Sequence, residues 1–173
     1  MPLSPDDVLR FLDAHGIAAR THTHPPLRTV AESQALRGNI PGAHTKNLFL
    51  RDDKKTYFLV SILVPPGDDR PADLKALRHR IGARGRLSFG TPEALYEHLG
   101  VRPGSVSLLA LMNDPEHRVS VVIDDALMAS DIINCHPLTN DKTTGLSAAG
   151  LTAFLAATGH QPLTVDLQPE TME

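Results

Sequence analysis

The sequence predicts a mixed β-sheet packed by helices, an α/β fold of the α+β type in a single domain spanning residues 1–173. Three observations lead there. Apolar runs of strand length alternate irregularly with amphipathic helical stretches, which excludes a purely doubly wound parallel sheet. Two strand pairs read as hairpins, one closed by the charged turn at 52–55 and one by Asn-Asp-Pro-Glu-His at 113–117. Hydrophobic residues make up 41% of the 173, enough for a sizeable core within one domain's length.

Taken in order, Ser4 followed by Pro5, Asp6 and Asp7 is a helix start: a cap, a first-turn proline, then acids on the positive end of the helix dipole. Val8, Phe11 and Leu12 carry the helical period and Gly16 stops it. Residues 18–24 read as a short strand. Thr29–Glu32 forms a capping box for a second short helix that fades before Gly38. Strands follow over 45–51 and 56–64, the second so apolar that it belongs in the middle of a sheet, covered on both faces. Residues 65–71 are a loop. A helix over 72–81 lines up Leu74, Leu77 and Ile81, with Lys75 and His79 one turn apart on its outer face. Thr91 caps a helix that ends at Gly100. Residues 106–114 and 118–127 read as a hairpin, 130–135 as a strand, and 136–145 as a polar loop. Ser147 caps a last helix ending at Gly159, and 163–167 is a closing strand.

Composition excludes several roles. With 4% aromatics and no Trp, a stacking platform for single-stranded bases is not expected. A net charge of −3 argues against a general nucleic-acid binder. The window 75–86 nevertheless holds Lys75, Arg78, Arg80, Arg84 and Arg86 and no acid; it is either a solvated helix face or a phosphate contact. One cysteine, Cys135, allows no internal disulfide and fits a reducing cytoplasm. No signal-peptide pattern opens the chain, and no apolar run approaches the ~18 residues of a membrane span. Glycine-rich nucleotide loops, a nucleophile elbow and the H-E-x-x-H zinc pattern are all missing. His22 and His24 share a strand face, but no third ligand with fitting spacing accompanies them, so neither metal nor cofactor is expected. Cys135 and His136 point to opposite faces as neighbours on an extended segment, which makes Cys135 a small buried hydrophobe.

What remains is an oddity at 46–47. Lys46 and Asn47 open a strand where it enters the core. Such a lysine either snorkels to water or presents its charge to a pocket. Three further segments accompany it along the chain: His24–Ser33; the small-residue turn Gly104–Ser107, which runs on to Asp114; and His136–Ser147, followed by Gly159–Pro162.

Lys46-Asn47-Leu48-Phe49-Leu50, Asn113-Asp114, His136-Pro137-Leu138 with Asn140 and Thr143-Thr144, and Gly159-His160-Gln161-Pro162 together make the chain resemble the YbaK/ProX-type aminoacyl-tRNA deacylases. These are related to the editing domain of bacterial prolyl-tRNA synthetase. The likeness runs from Val8 to Leu167 and is greatest to the freestanding branch that clears alanine from the proline tRNA. It implies a barrel-like mixed sheet wrapped by helices, and a hydrolase that supplies a second sieve. A synthetase cannot exclude a smaller amino acid by sterics when each missing methylene is worth only roughly 1–3 kcal/mol.

The resemblance also implies roles. Lys46 is the required cation, paired with the 3′-end phosphate or with charge growing on the ester oxygen. Asn47 orients the substrate. Backbone donors of the Gly104, Ser105 and Ser107 turn hold it, and Asn140 and Thr143 order the loop beside it. His136 either polarises water or pins its own loop to a carbonyl. Water, helped by the terminal ribose hydroxyl, is the expected nucleophile. Lys75, Arg78, Arg80 and Arg84 face acceptor-stem phosphates. Thr29 reads as a helix cap and His24 as a loop anchor. The implied partners are the tRNA acceptor end, that of tRNA-Pro in particular, and prolyl-tRNA synthetase, with no membrane. Relatives carry proline in a G-x-V-x-P turn where this chain has Leu108. Two rival readings stand beside this one: a non-catalytic tRNA- or synthetase-binding module of the same fold, and a small-molecule hydrolase whose basic helix is unrelated to RNA.

Overall fold

The computed structural model describes residues 2–26, 40–65 and 72–168. The helix expected at 29–32, the Thr29 cap and most of the 65–71 loop lie outside them. In chain order the elements are α1 (Pro5–Ala14), β1 (Ala19–Thr23), β2 (His44–Arg51), β3 (Tyr57–Val64), α2 (Leu74–Arg80), β4 (Ser88–Phe89) and α3 (Pro92–Leu99). A 3-10 helix (Leu108–Asn113), β5 (Val119–Asp124), α4 (Asp125–Met128), β6 (Ile133–Cys135), β7 (Lys142–Leu146), α5 (Ala148–Thr158) and β8 (Leu163–Val165) follow.

The strands form two sheets, β1-β7-β6 and β4-β2-β3-β5-β8. The small sheet is antiparallel throughout; the large one pairs β3 with β5 and β5 with β8 in parallel. The sheets meet at one parallel bridge, Ala43 with Ile133. Among the described residues the strands do not close into a ring, so the mixed sheet is as expected and a barrel is not seen.

Helix ends follow local chemistry. Ser4 and Asp7 form a reciprocal capping box on α1. Thr91 and Ser147 cap α3 and α5, and Gly100 and Gly159 end them in the left-handed conformation that glycine adopts without penalty. β3 is central. Its Leu59 faces a core built with α1, α5 and the 3-10 helix, while Phe58 and Val60 face a second core under α2 with Leu77, Ile81 and Leu87.

Three expectations change. Residues 108–113 are a 3-10 helix, not a hairpin strand, and β5 lies between β3 and β8. Leu108, Leu109, Ala110 and Leu111 are all fully buried. A short run that is apolar on every side carries no period to separate strand from helix. The Asn113-Asp114 pair joins the 3-10 helix to β5. Asn113 donates to the Leu99 carbonyl and accepts from the Leu3 N–H, while the Asp114 carboxylate accepts from the Arg118 and Val119 N–H groups. The apolar run after β5 turns at Asp124, whose side chain caps the short helix α4. The last four residues of the polar loop at 136–145 belong to strand β7, paired on both sides, and its Thr143 and Thr144 are buried.

The charged turn after β2 also hides a core group. Asp52 is buried, and its carboxylate accepts from the N–H groups of Lys54, Thr56 and Arg84. Burial alone would raise its pKa, but the donors of Arg84, Thr56 and Lys54 and the Arg84 charge outweigh it, and the carboxyl lies below its ordinary value. A depressed folded-state pKa contributes stability that is present above the unfolded value and lost as pH falls through the folded one. Asp52→Asn is therefore expected to cost about 1–3 kcal/mol at pH 7. Urea unfolding should show that deficit shrinking as acid protonates the wild-type carboxyl.

Candidate active site

Alternation along β2 separates the two residues that looked like a pair. Lys46 shares a face with Leu48 and Leu50, opposite Ile62 of β3, and therefore lies on the side covered by α2. Asn47 lies on the other face. Its Oδ1 accepts from Ser61 Oγ at 2.7 Å and its Nδ2 donates to Thr45 Oγ1 at 3.0 Å; Thr45 Oγ1 donates in turn to the Asn134 carbonyl at 3.2 Å. The Asn47 side chain is thus used to fasten β2 to β3 and to the neighbouring sheet.

Register across the sheets lines up the residues on the Lys46 face. His22 pairs with Thr143. One residue on from the Cys135–Thr144 pair, His136 stands beside Thr143. Counted from the Ala43–Ile133 bridge, Lys46 stands level with His136. Beyond that bridge no further main-chain pairing of β2 with β6 is found among the described residues, and Thr45 Oγ1 donates to the Asn134 carbonyl.

The His136 ring has a set tautomer. Its Nδ1–H donates to the Lys142 carbonyl at 3.1 Å, which leaves the acceptor lone pair on Nε2. Burial lowers its pKa, the Lys142 carbonyl opposes that, and the charge of His24 adds to the lowering. A neutral imidazole with an open acceptor nitrogen can orient or deprotonate water. His24 supports this cluster: its Nε2 lies 2.9 Å from Thr143 Oγ1, and its backbone N–H donates to the Asp141 carbonyl. The loop-anchor reading of His24 holds, and Thr143 is the residue it anchors. The Cys135 thiol is buried and pushed up to about 12, so it is chemically quiet beside these groups.

Gly104 and Asn140 come together: a β-carbon on Gly104 would stand 3.6 Å from Asn140 Nδ2, and Gly104 has a φ of 94°. The turn that they border is closed by the Ser105 N–H on the Arg102 carbonyl. Ser107 is fully buried, and its Oγ accepts from the Leu109 N–H as the cap of the 3-10 helix. Leu108 is that helix's first residue, a position where proline is equally at home, and its side chain lies in the core.

The basic segment spans the end of α2 and the turn after it. Lys75, Arg84 and Arg86 are exposed and Arg78 is half-buried. Arg80 donates to the carbonyls of Asp166 and Gln168. The main chain at Arg84 and Arg86 is held by the carboxylates of Asp52 and Asp53. Among the described residues, the three potential metal ligands that gather within 4.8 Å are Asp124, Asp125 and Asp166. No described helix is long and apolar enough to cross a membrane.

Sequence reasoning missed the buried part played by Asp52; nothing local distinguishes it from an exposed turn acid.

Residues 24–154 match the family model described as the aminoacyl-tRNA editing domain. Prolyl-tRNA synthetase associated domain-containing protein 1 of Danio rerio is 39% identical over 155 residues, covering 88% of this chain and 82% of that protein. Prolyl-tRNA editing protein ProX of Acetoanaerobium sticklandii is 32% identical over 160 residues, covering 92% and 95%. A crystal structure described as a candidate trans-editing enzyme for prolyl tRNA synthetase superposes with a TM-score of 0.68 at 23% identity, over 97% of this chain and 99% of that one, a likeness of fold.

Proposed function

The chain belongs to the aminoacyl-tRNA editing domain family, of the YbaK/ProX type, and on that premise we propose that it hydrolyses the ester of mischarged tRNA, with Ala-tRNA(Pro) as its substrate. One observation carries the proposal. Register counted on from the Ala43–Ile133 bridge puts Lys46 and His136 at one level, and α2 with its basic residues covers the Lys46 side of β2. A cation, a neutral acceptor nitrogen and a phosphate-binding segment are what a tRNA 3′ end with an aminoacyl ester requires.

In the proposed reaction the Lys46 ammonium pairs with the terminal phosphate or with the oxygen on which charge grows. Water attacks the ester carbonyl carbon, oriented by His136 Nε2 and the neighbouring ribose hydroxyl. The bond from carbon to ribose oxygen breaks, and the proton given up by water ends on that oxygen. Lys75, Arg78 and Arg84 bind acceptor-stem phosphates, with Arg80 fixing the helix that carries the first two.

The test is a panel of aminoacylated tRNAs. Alanyl-tRNA(Pro) is expected to be deacylated and prolyl-tRNA(Pro) spared. Turnover at sub-saturating substrate should fall steeply between 50 and 200 mM salt, as counterion release demands for roughly three or more phosphate contacts. Binding of tRNA without any ester hydrolysis would instead identify a non-catalytic module. Hydrolysis indifferent to salt would identify a small-molecule esterase.

A further inference from the structure

The outer edge of β2 is interrupted. At one end the Ala43 N–H donates to the Ile132 carbonyl at 2.8 Å, and the Ala43 carbonyl accepts from the Asn134 N–H at 3.0 Å. At the other end the Phe49 carbonyl accepts from the Gly90 N–H at 2.9 Å, and β4 pairs with Leu50 and Arg51. Main-chain groups alternate in direction along a strand, so Thr45 and Asn47 point their N–H and C=O the same way as Ala43 and Phe49, away from β3. No described strand pairs with Thr45 or Asn47 on that edge. Main-chain pairing with β6 has stopped there, although Thr45 Oγ1 still donates to the Asn134 carbonyl at 3.2 Å, and the stretch straddles Lys46.

We propose that this edge is the binding site for the aminoacyl moiety, held as a single strand residue. In a parallel ladder one residue donates its N–H to the carbonyl of residue i−1 on its neighbour and accepts from the N–H of residue i+1. The Thr45 carbonyl and the Asn47 N–H stand in that relation around Lys46. An aminoacyl ester offers the complement at the same spacing, an α-ammonium and an ester carbonyl. The α-ammonium donates to the Thr45 carbonyl, a charge-assisted bond. The ester carbonyl accepts from the Asn47 N–H, a donor that remains in place as negative charge grows on that oxygen. This assigns Asn47 its role through the backbone, with its side chain already spent on Ser61 and Thr45.

The same arrangement selects against proline. The prolyl α-ammonium keeps two N–H bonds, but its ring fixes φ at about −65° and puts a carbon on the nitrogen, so in an extended pose its donors are turned from the Thr45 carbonyl and the ring crowds the edge. Discrimination then comes from a misdirected donor as well as from size. A site built around a polar contact rejects an analogue lacking it more strongly than one that only senses a methylene.

The inference rests on the editing reading, and its test is separable from it. The probe is an adenosine carrying an L-alanyl amide on its ribose in place of the ester, which cannot be hydrolysed. Added to the isotope-labelled full chain, it should shift the Asn47 amide resonance and slow its hydrogen exchange. The amide of Lys55, in the turn at the far end of β2, should be unmoved. The propionyl counterpart, which lacks only the α-amino group, should bind at least ~10-fold more weakly, and the prolyl probe likewise. An alanyl probe that does not bind, or binds with the Asn47 amide silent, or is matched by the propionyl probe, overturns the edge. Deacylation with a silent Asn47 sinks the edge alone; a responsive Asn47 in a chain that hydrolyses no aminoacyl-tRNA supports the edge and sinks the hydrolase.

Discussion

Lys46→Ala is expected to lower kcat/KM for alanyl-tRNA by about 10²–10³-fold while leaving the fold intact, because one preorganised charge facing a developing oxyanion contributes on that order. The residue lies toward the end of a sheet face, beyond Leu48 and Leu50, so truncating it leaves the main hydrophobic contacts of β2 in place. Lys46→Arg keeps the charge but replaces a compact ammonium with a broad planar group, and should recover activity only in part. The contrast with Asn47→Ala is informative. That substitution removes side-chain bonds to Ser61 and Thr45, so its damage should appear in thermal stability as well as in turnover. His136→Ala should lower kcat more than it raises KM if Nε2 positions the attacking water. Single-turnover rates with matched circular dichroism melts would settle each case. A Lys46→Ala variant with wild-type turnover would remove the cation from the mechanism.

The second large effect is on stability. Asp114→Ala is expected to cost about 3 kcal/mol or more, since each buried donor left without its acceptor costs about 1–3 kcal/mol. Both Asp114 and His160 have side chains only 2% exposed, with His160 Nε2 3.1 Å from Asp114 Oδ2. The same carboxylate accepts from the Arg118 and Val119 N–H groups, so three donors lose their acceptor at once. His160 is fixed from its other side by Thr158 Oγ1, at 2.9 Å, just past the end of α5. Asp114 therefore ties together the 3-10 helix, the start of β5 and the end of α5. Equilibrium denaturation of Asp114→Ala and His160→Ala, with the double variant, would measure the coupling. Additive single-variant losses would mean that the pair does not act as a unit.

These two predictions also mark what the residues disclosed unaided. Helix ends were legible because a cap is chemistry within four residues: Ser4 with Asp7, Thr91, and Ser147 with Gly159 all act where they were read. β3 was legible because a strand apolar on both faces has few homes other than a sheet centre. Residues 108–113 were not, since four successive fully buried side chains carry no periodicity. Thr143 and Thr144 looked like loop residues because their burial comes from pairing with both β1 and β6, which no local window reveals. At the site, Lys46 stood out as an anomaly. Its relation to His136 required the Ala43–Ile133 bridge, a contact between segments ninety residues apart in the chain. The separation of Lys46 from Asn47 was available from strand alternation alone.

The clasp of Arg80 on the carbonyls of Asp166 and Gln168 couples two ends of the molecule. Gln168 in turn donates to the Leu63 carbonyl and to the buried Asp124 carboxylate, so the moorings of α2 run through the last few described residues to the far end of β3. A purification tag or fluorescent reporter fused behind residue 168 would pull on the helix that presents the positive charges. A label ahead of α1 leaves these moorings untouched.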